Sequence, residues 1–338
     1  MTAHVDGRDI DVLSVGEALV DFISTKPAIS IRDADGFSRH LGGSVTNMAL
    51  NVVRLGARAA VASRLGNDPF GEFLRREMER QGLITDYVTT DAELHTPLAF
   101  ITQSAGTADF FICRGSDSQL SESDLPDEAI ERARVVHTSA FALSREPARA
   151  TVLHALHHAH TVGCLVSLDP NYHPALWPDG DDFEAVLKEA YRYVDVTKPS
   201  KEDCVRLFGA ACSIPESIER FLDWGAKIVA LTLGSHGVIL ASDEETLFRI
   251  TPGLVSAVDA TGAGDAYWAG LLLGLLDGYP PEKAACLAQL VAEAKLARVG
   301  HLPAVVDRTV LYRALGTVKC APITQSELKY LDEQTITR

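Results

Sequence analysis

The chain is short of positive charge. Among its 338 residues, 31 Lys and Arg stand against 46 Asp and Glu, a formal net charge of -15. That balance argues against nucleic acid or an anionic membrane as a general partner, so any anionic ligand must be held by a local site. Cysteine is sparse too: the six, at positions 113, 164, 204, 212, 286 and 320, form no C-x-x-C pair and no metal-finger spacing. They read as reduced thiols of a cytoplasmic protein. No apolar run reaches the length that spans a bilayer, and the N-terminus lacks a basic-then-apolar leader pattern. Internal repeats, low-complexity tracts and long linkers are absent, and so is the G-x-x-x-x-G-K-[ST] phosphate loop. A nucleotide, if one binds, therefore needs another cradle. What is left, 46% apolar and 23% charged residues, is an ordinary globular composition with ample length for a sizeable core.

The most informative stretch is Val258-Asp259-Ala260-Thr261-Gly262-Ala263-Gly264-Asp265, which runs into a segment, 266–276, apolar nearly all round. That segment predicts a helix buried in the middle of the fold. Gly262, Ala263 and Gly264 carry almost no side chain. The N–H groups of the first turn are then open to an anion, with the positive end of the helix dipole behind them. Asp265, just inside the turn, is placed to take a proton while those N–H groups hold negative charge. The pairing suits phosphoryl transfer to a hydroxyl. Alone, a G-x-G-D start reads more readily as a dipole-compensated helix cap, so the rest of the chain decides.

Residues 10–16 predict a buried strand and 17–23 a second, in which Asp21 is either a water-facing residue or a hydroxyl acceptor at a pocket mouth. Gly42 and Gly43 precede a helix to about Gly56 and let backbone approach a ligand closely, with Asn47 one turn in. Strand 59–65 and a helix opened by Asp68-Pro69 follow. Residues 96–113 alternate around Gly106 and read as a hairpin. Arg114, just beyond it, either reaches an anionic or polyhydroxy substrate or is a solvated rim residue. From Arg134 onward short β-rich runs alternate with helical ones. This predicts a parallel sheet covered on both faces, with ligands at the carboxyl ends of its strands. The loops 169–173, 198–203 and 232–237 follow such ends and favour one cleft. Histidines 154, 157, 158 and 160 share one helix without a carboxylate or Cys at ligand spacing, and read as polar helix surface rather than a metal site. From about Gly316 the chain is polar and weakly patterned.

These pieces resemble the ribokinase-like (PfkB) family of carbohydrate kinases over about residues 10–305. Two signatures carry the resemblance: Gly-Gly-x-x-x-Asn at 42–47 and D-x-T-G-A-G-D at 259–265. It implies an α/β fold, a Rossmann-like mostly parallel central sheet with helices on both faces, in a kinase domain over 1–315. A small β-sheet lid would come from about 17–40 and 96–114, and 316–338 would be a peripheral tail. The implied activity is ATP-dependent phosphorylation of a monosaccharide or sugar acid, like a fructokinase or a 2-keto-3-deoxygluconate kinase.

The resemblance also distributes roles. Asp265 matches the base, and Gly262, Ala263 and Gly264 the anion hole. Asp21, Gly42, Gly43 and Asn47 resemble the sugar-binding set, with Arg114 and Asp169 beside it. Thr232, Gly234 and Gly237 match the T-x-G-x-x-G turn along the nucleotide, which Lys198 and Ser200 adjoin. Asp259 and Thr261 fit a monovalent-cation site, with K⁺ as activator. Mg²⁺ would accompany ATP and meet Asp203 through water. Two positions depart from the family's pattern: N-x-x-E is Ser200-Lys201-Glu202-Asp203 here, and D-P-N-x-R ends in His173. A cation at His173 depends on pH, which disfavours a strongly anionic substrate. A nucleoside kinase, its base stacked on the lid's Phe37, Phe100, Phe110 and Phe111, is the alternative within the fold. A non-catalytic sugar or nucleotide sensor is the alternative from another class. A β-lid has an apolar face that one chain covers poorly, so a homodimer joined through the lids is expected.

Overall fold

The computed structural model describes residues 7–103, 109–242, 246–253, 258, 262–298 and 302–336. Its strands are β1 (Ile10–Val15), β2 (Leu19–Pro27), β3 (Phe37–Gly42), β4 (Ala59–Gly66), β5 (Val88–Asp91), β6 (Leu98–Gln103) and β7 (Phe110–Cys113). They continue as β8 (Ala133–Ser139), β9 (Leu165–Asp169), β10 (Val196–Thr197), β11 (Ile228–Thr232), β12 (Val238–Ala241), β13 (Leu247–Thr251) and β14 (Lys319–Pro322). They form a 10-stranded sheet, in the order β14-β13-β12-β11-β10-β9-β8-β1-β4-β5, and a 4-stranded sheet, β3-β2-β6-β7. Neighbours from β5 through to β11 are parallel; β12, β13 and β14 add on antiparallel.

Helices cover both faces of the large sheet, so its strands are apolar on both sides. Alternate residues of β1 feed different cores. Leu13 and Val15 pack with Val152, Ala155 and Leu156 of the helix Ala148–Thr161. Val12 joins Met48 and Val52 of the helix Ser44–Arg54 and Trp268 and Leu271 of the helix Ala263–Leu276. This last helix is buried all round as expected, and small residues let it be. A β-carbon at Gly270 or Gly274 would press on Ala288 or Ala284 of the helix Pro281–Leu296, so glycine at both allows the two helices to lie in direct contact.

The small sheet is the lid. Its β2 pairs antiparallel with β3 and parallel with β6, which pairs antiparallel with β7. Neighbouring residues point to opposite faces. Asp21, Ala99 and Ile101 face the large sheet across a cleft. On the other face Phe22 stacks on Phe100 at 5.1 Å, with Phe37 edge-on to Phe100 at 5.4 Å and Phe70 edge-on to Phe22 at 5.7 Å. Phe70 belongs to the helix Pro69–Arg80, so the chain covers part of the lid's outer face itself.

Residues beyond 316 carry more structure than their pattern suggests. β14 extends the large sheet, and the helix Gln325–Ile336 buries Leu328 and Leu331. Asp332 accepts the Ile214 N–H at 2.8 Å. Four residues of strand are too few to show an alternation in sequence. Among the described residues no helix is long and apolar enough to cross a membrane.

Candidate active site

Between the lid and the large sheet lies a cleft of about 400 Å³, whose wall includes Glu17, Asp21, Gly43, Asn47 and Asp265. Asp21 comes from the lid strand β2, Gly43 and Asn47 from the start of the helix Ser44–Arg54, and Asp265 from the first turn of the helix Ala263–Leu276. Gly42 lies under Asp21: a β-carbon at residue 42 would overlap the Asp21 carboxylate. Gly43 has φ +103°, and a β-carbon there would overlap the carbonyl of Glu17. The Oδ1 of Asn47 is buried without a hydrogen-bond partner among the described residues. Buried polar atoms are normally paired, so this one has an acceptor left over at the cleft wall.

The cleft is an electrostatic well of protons. Burial pushes the carboxyls of Asp21 and Glu17 up to about 7. Asp265 is pushed to about 7 by burial first and by the charge of Asp169 second, with Lys198 opposing. Asp169, at the end of β9, is itself raised by burial. A carboxyl poised near neutrality beside a hydroxyl site has the affinity that a general base needs.

Next to Asp265 is the N-terminus of its helix, where an anion site was expected. Gly262 caps the helix in the left-handed conformation (φ 75°), a geometry that favours glycine. Lys198 Nζ lies 3.5 Å from where a β-carbon of Gly264 would be. Lys198 is only 5% exposed, so its ammonium and the helix N-terminus meet in one low-dielectric spot. Thr232 closes the same corner: its N–H donates to the Pro199 carbonyl at 2.9 Å, and it bridges to Ser200. The turn after Thr232 runs through Gly234 (φ +55°) and Gly237 (φ +93°), where a β-carbon at 237 would overlap the Ile250 carbonyl.

Other sequence-based candidates sit differently. Arg114 lies one layer behind the cleft wall. Its Nε and Nη1 donate to Asp117 Oδ2 and Ser144 Oγ, each at 2.6 Å, and its guanidinium stacks 4.1 Å over the ring of Phe141, which does line the cleft. His173 packs on Phe110 of the lid at 4.3 Å, and burial with the charge of Arg206 lowers its pKa, favouring the neutral ring. Ser200 and Asp203 form a capping box for the helix Lys201–Phe208: Asp203 Oδ2 accepts from Ser200 N at 2.9 Å and Oγ at 2.6 Å. Asp259 and Thr261 lie outside the described residues. Phe37 and Phe100 pack away from the cleft, and Phe110 lines it. His154 meets Asp127 at 2.9 Å, and no metal-binding cluster occurs among the described residues.

The cleft also contains Glu17, which the sequence reading assigned no role, and Asn171, which it placed only as part of the loop 169–173. Both follow carboxyl ends of parallel strands, where ligands gather in such sheets, and that position was the available signal.

Comparison with known proteins agrees with this geometry. Residues 9–305 match the pfkB family carbohydrate kinase domain. The chain is 37% identical over 303 residues to an ATP-dependent 6-phosphofructokinase of Thermoanaerobacterium thermosaccharolyticum, covering 89% of this chain and 92% of that protein. Among solved structures it resembles Halothermothrix orenii fructokinase (37% identity, TM-score 0.75, 87% of this chain and 100% of that one). It also resembles Vibrio cholerae fructokinase with fructose, ADP and calcium bound (25% identity, TM-score 0.79, 91% and 99%). Fold and site thus define a ribokinase-like sugar kinase, an ATP-dependent phosphotransferase. The chain belongs to the pfkB family of carbohydrate kinases.

Proposed function

We propose that the protein transfers the γ-phosphoryl group of ATP to a hydroxymethyl group of an uncharged hexose, with fructose the leading acceptor. One observation carries this reading: Asp265, a carboxyl pushed to about 7, shares the cleft with Asp21 and Asn47 and sits in the first turn of the helix whose Gly264 Lys198 approaches. The acceptor oxygen forms its bond to phosphorus as the bond to ADP breaks, and Asp265 receives the hydroxyl proton. The first-turn N–H groups and Lys198 hold the phosphoryl oxygens. The lid keeps water out, so that sugar rather than water is phosphorylated.

Identity does not separate the acceptors, since the phosphofructokinase and a fructokinase are each 37% identical to this chain. Charge supports fructose. The cleft wall holds the carboxyls of Glu17, Asp21 and Asp265 and no Lys or Arg among its described residues. Arg114 is engaged by Asp117, and His173 is held towards its neutral form. Magnesium, carried in with ATP, would meet Asp203 through water and neutralise phosphate charge. Asp259 and Thr261 would hold K⁺. A homodimer through the lids draws on Ile29 and Phe111, exposed at 94% and 59%; a monomer in sedimentation at micromolar concentration would count against it. A cytoplasmic location completes the reading.

A nucleoside kinase is the second reading, and Phe110 and Phe141 in the cleft wall are what favours it. ADP release should be measured with ATP, Mg²⁺ and K⁺ over fructose, fructose 6-phosphate, 2-keto-3-deoxygluconate and nucleosides, with Asp265→Asn alongside. Turnover of fructose that the variant loses supports the proposal. Preference for fructose 6-phosphate, the sugar acid or a nucleoside overturns the acceptor, and binding without any turnover points to a sensor.

A further inference from the structure

Glu17 is a cleft residue with no part in the proton transfer assigned to Asp265, yet it is only 2% exposed and deliberately bonded. Its Oε1 accepts the Ser44 N–H at 2.8 Å, and its Oε2 accepts from Ser139 Oγ at 3.3 Å. Its backbone carbonyl accepts from Thr46 Oγ1 at 2.9 Å and lies where a β-carbon of Gly43 would fall.

Ser44 is the first residue of the helix Ser44–Arg54, so its N–H has no partner inside the helix. A Ser, Thr, Asp or Asn at the N-cap usually accepts from the second or third N–H of the helix, which leaves the first to water or to an acceptor from elsewhere in the chain. Here the N-cap is Gly43, held at φ +103° with no side chain to offer. The glycine is needed for the close backbone approach, and the capping oxygen comes instead from a residue 27 positions earlier. A carboxylate at a helix N-terminus also matches the dipole.

Resting on the kinase reading above, we propose that Glu17 is a positioning residue: it caps this helix from the turn between β1 and β2 and so fixes Gly43, Ser44 and Asn47 against the acceptor. The glycine pair makes room for the sugar, and Glu17 supplies the rigidity that the pair gives up.

Glu17→Gln keeps an oxygen for the Ser44 N–H, whereas Glu17→Ala removes it. Ser44→Pro removes the donor instead, at the first helical position, where proline is tolerated. We expect Glu17→Ala and Ser44→Pro to raise KM for fructose about ten- to a hundredfold, with KM for ATP little moved, kcat falling far less than the sugar KM rises, and Glu17→Gln much the milder of the Glu17 variants. Amide hydrogen exchange on the substrate-free enzyme is the companion measurement. Exchange over residues 43–48 should quicken at least about tenfold in Glu17→Ala and not in Glu17→Gln. If Glu17→Gln loses kcat as fully as Glu17→Ala, Glu17 handles protons and the positioning role is overturned. Unchanged exchange in Glu17→Ala overturns it as well. Should no acceptor turn over while exchange quickens as expected, the kinase reading fails and the capping role stands. If Glu17→Ala does not fold, Glu17→Gln and Ser44→Pro decide the same question by the KM split.

Discussion

The Asp21 carboxylate occupies the space that a β-carbon on Gly42 would need. Two residues far apart in sequence are thereby matched, because β2 and β3 pair with Leu19 opposite Gly42. Gly42→Ala is expected to push Asp21 out of the cleft. KM for the sugar should rise about tenfold or more while KM for ATP holds, since overpacking a buried site costs ~1–3 kcal/mol. Steady-state kinetics in both substrates tests this; an unchanged sugar KM would show that the acceptor does not use Asp21.

Asp265 is expected to carry the proton transfer. Asp265→Asn should lower kcat by roughly 10²–10⁴-fold, the usual contribution of a general base. Because burial and Asp169 push its carboxyl to about 7, wild-type kcat/KM should rise with pH up to a bend near neutrality and fall on the acid side as the base is protonated. An acid limb lying near pH 4 would mean that Asp265 is not the titrating group.

The same titrations act on stability with the opposite sign. Asp21, Glu17 and Asp265 titrate at about 7 when folded, against ordinary values of 3.8 or 4.5. Between about pH 4 and 7 the folded protein holds protons that the unfolded chain releases, so their stabilising contribution is full at the acid end and is lost as pH rises through about 7. His137 opposes them inside this window: burial lowers it to about 3 from 6.5, so stability recovers through it as pH rises towards 6.5, one group against three. Asp9, lowered to about 2 by its hydrogen bond with Arg132, changes only at lower pH. The melting temperature of the substrate-free enzyme should therefore fall from about pH 5.5 to about pH 7.5. Asp21→Asn, neutral throughout, should be the more stable protein at the upper pH. A melting temperature that rises over this range would contradict the shifts.

Removing the residues after Val318 should destabilise the protein without touching the cleft. The truncation uncovers β13, takes away Leu328 and Leu331, and breaks the bond from Ile214 N to Asp332. A bare edge strand invites pairing between copies. We expect a lower melting temperature and aggregation on heating, read by calorimetry and light scattering, with KM for the sugar little changed. Full stability in the truncated chain would show that β14 adds nothing.

How far the sequence led depended on how local each signal was. The buried helix around Trp268, the Gly42-Gly43 turn and the alternation of strands and helices are written in consecutive residues, and they stand where they were expected. Glu17 was hidden because its partner, the Ser44 N–H, is a backbone group that no residue type announces. Arg114 read as substrate-facing or solvated because residue types alone do not say that Asp117, three residues on, turns back to it, and Ser144, its other partner, lies in a distant loop. Ser200 and Asp203, read as an altered metal motif, also satisfy an ordinary capping box, a local bond that sequence allowed and only geometry selects. The order within the peripheral tail was not legible because β14 gains it from β13, not from itself.

The aromatic stack on the outer face of the lid has a consequence for fidelity. Asp21 and Phe22 are consecutive on β2, and Asp21 pairs with Ala99 as Phe22 pairs with Phe100. A slip of one residue between β2 and β6 would turn the phenyl ring into the cleft and the carboxylate against Phe70. Stacking of Phe22 on Phe100, with Phe37 and Phe70 at its edges, penalises that slip. The identity of the group that meets the sugar is thus guarded by rings that never touch it, and errors in folding the lid would appear first as errors of chemistry.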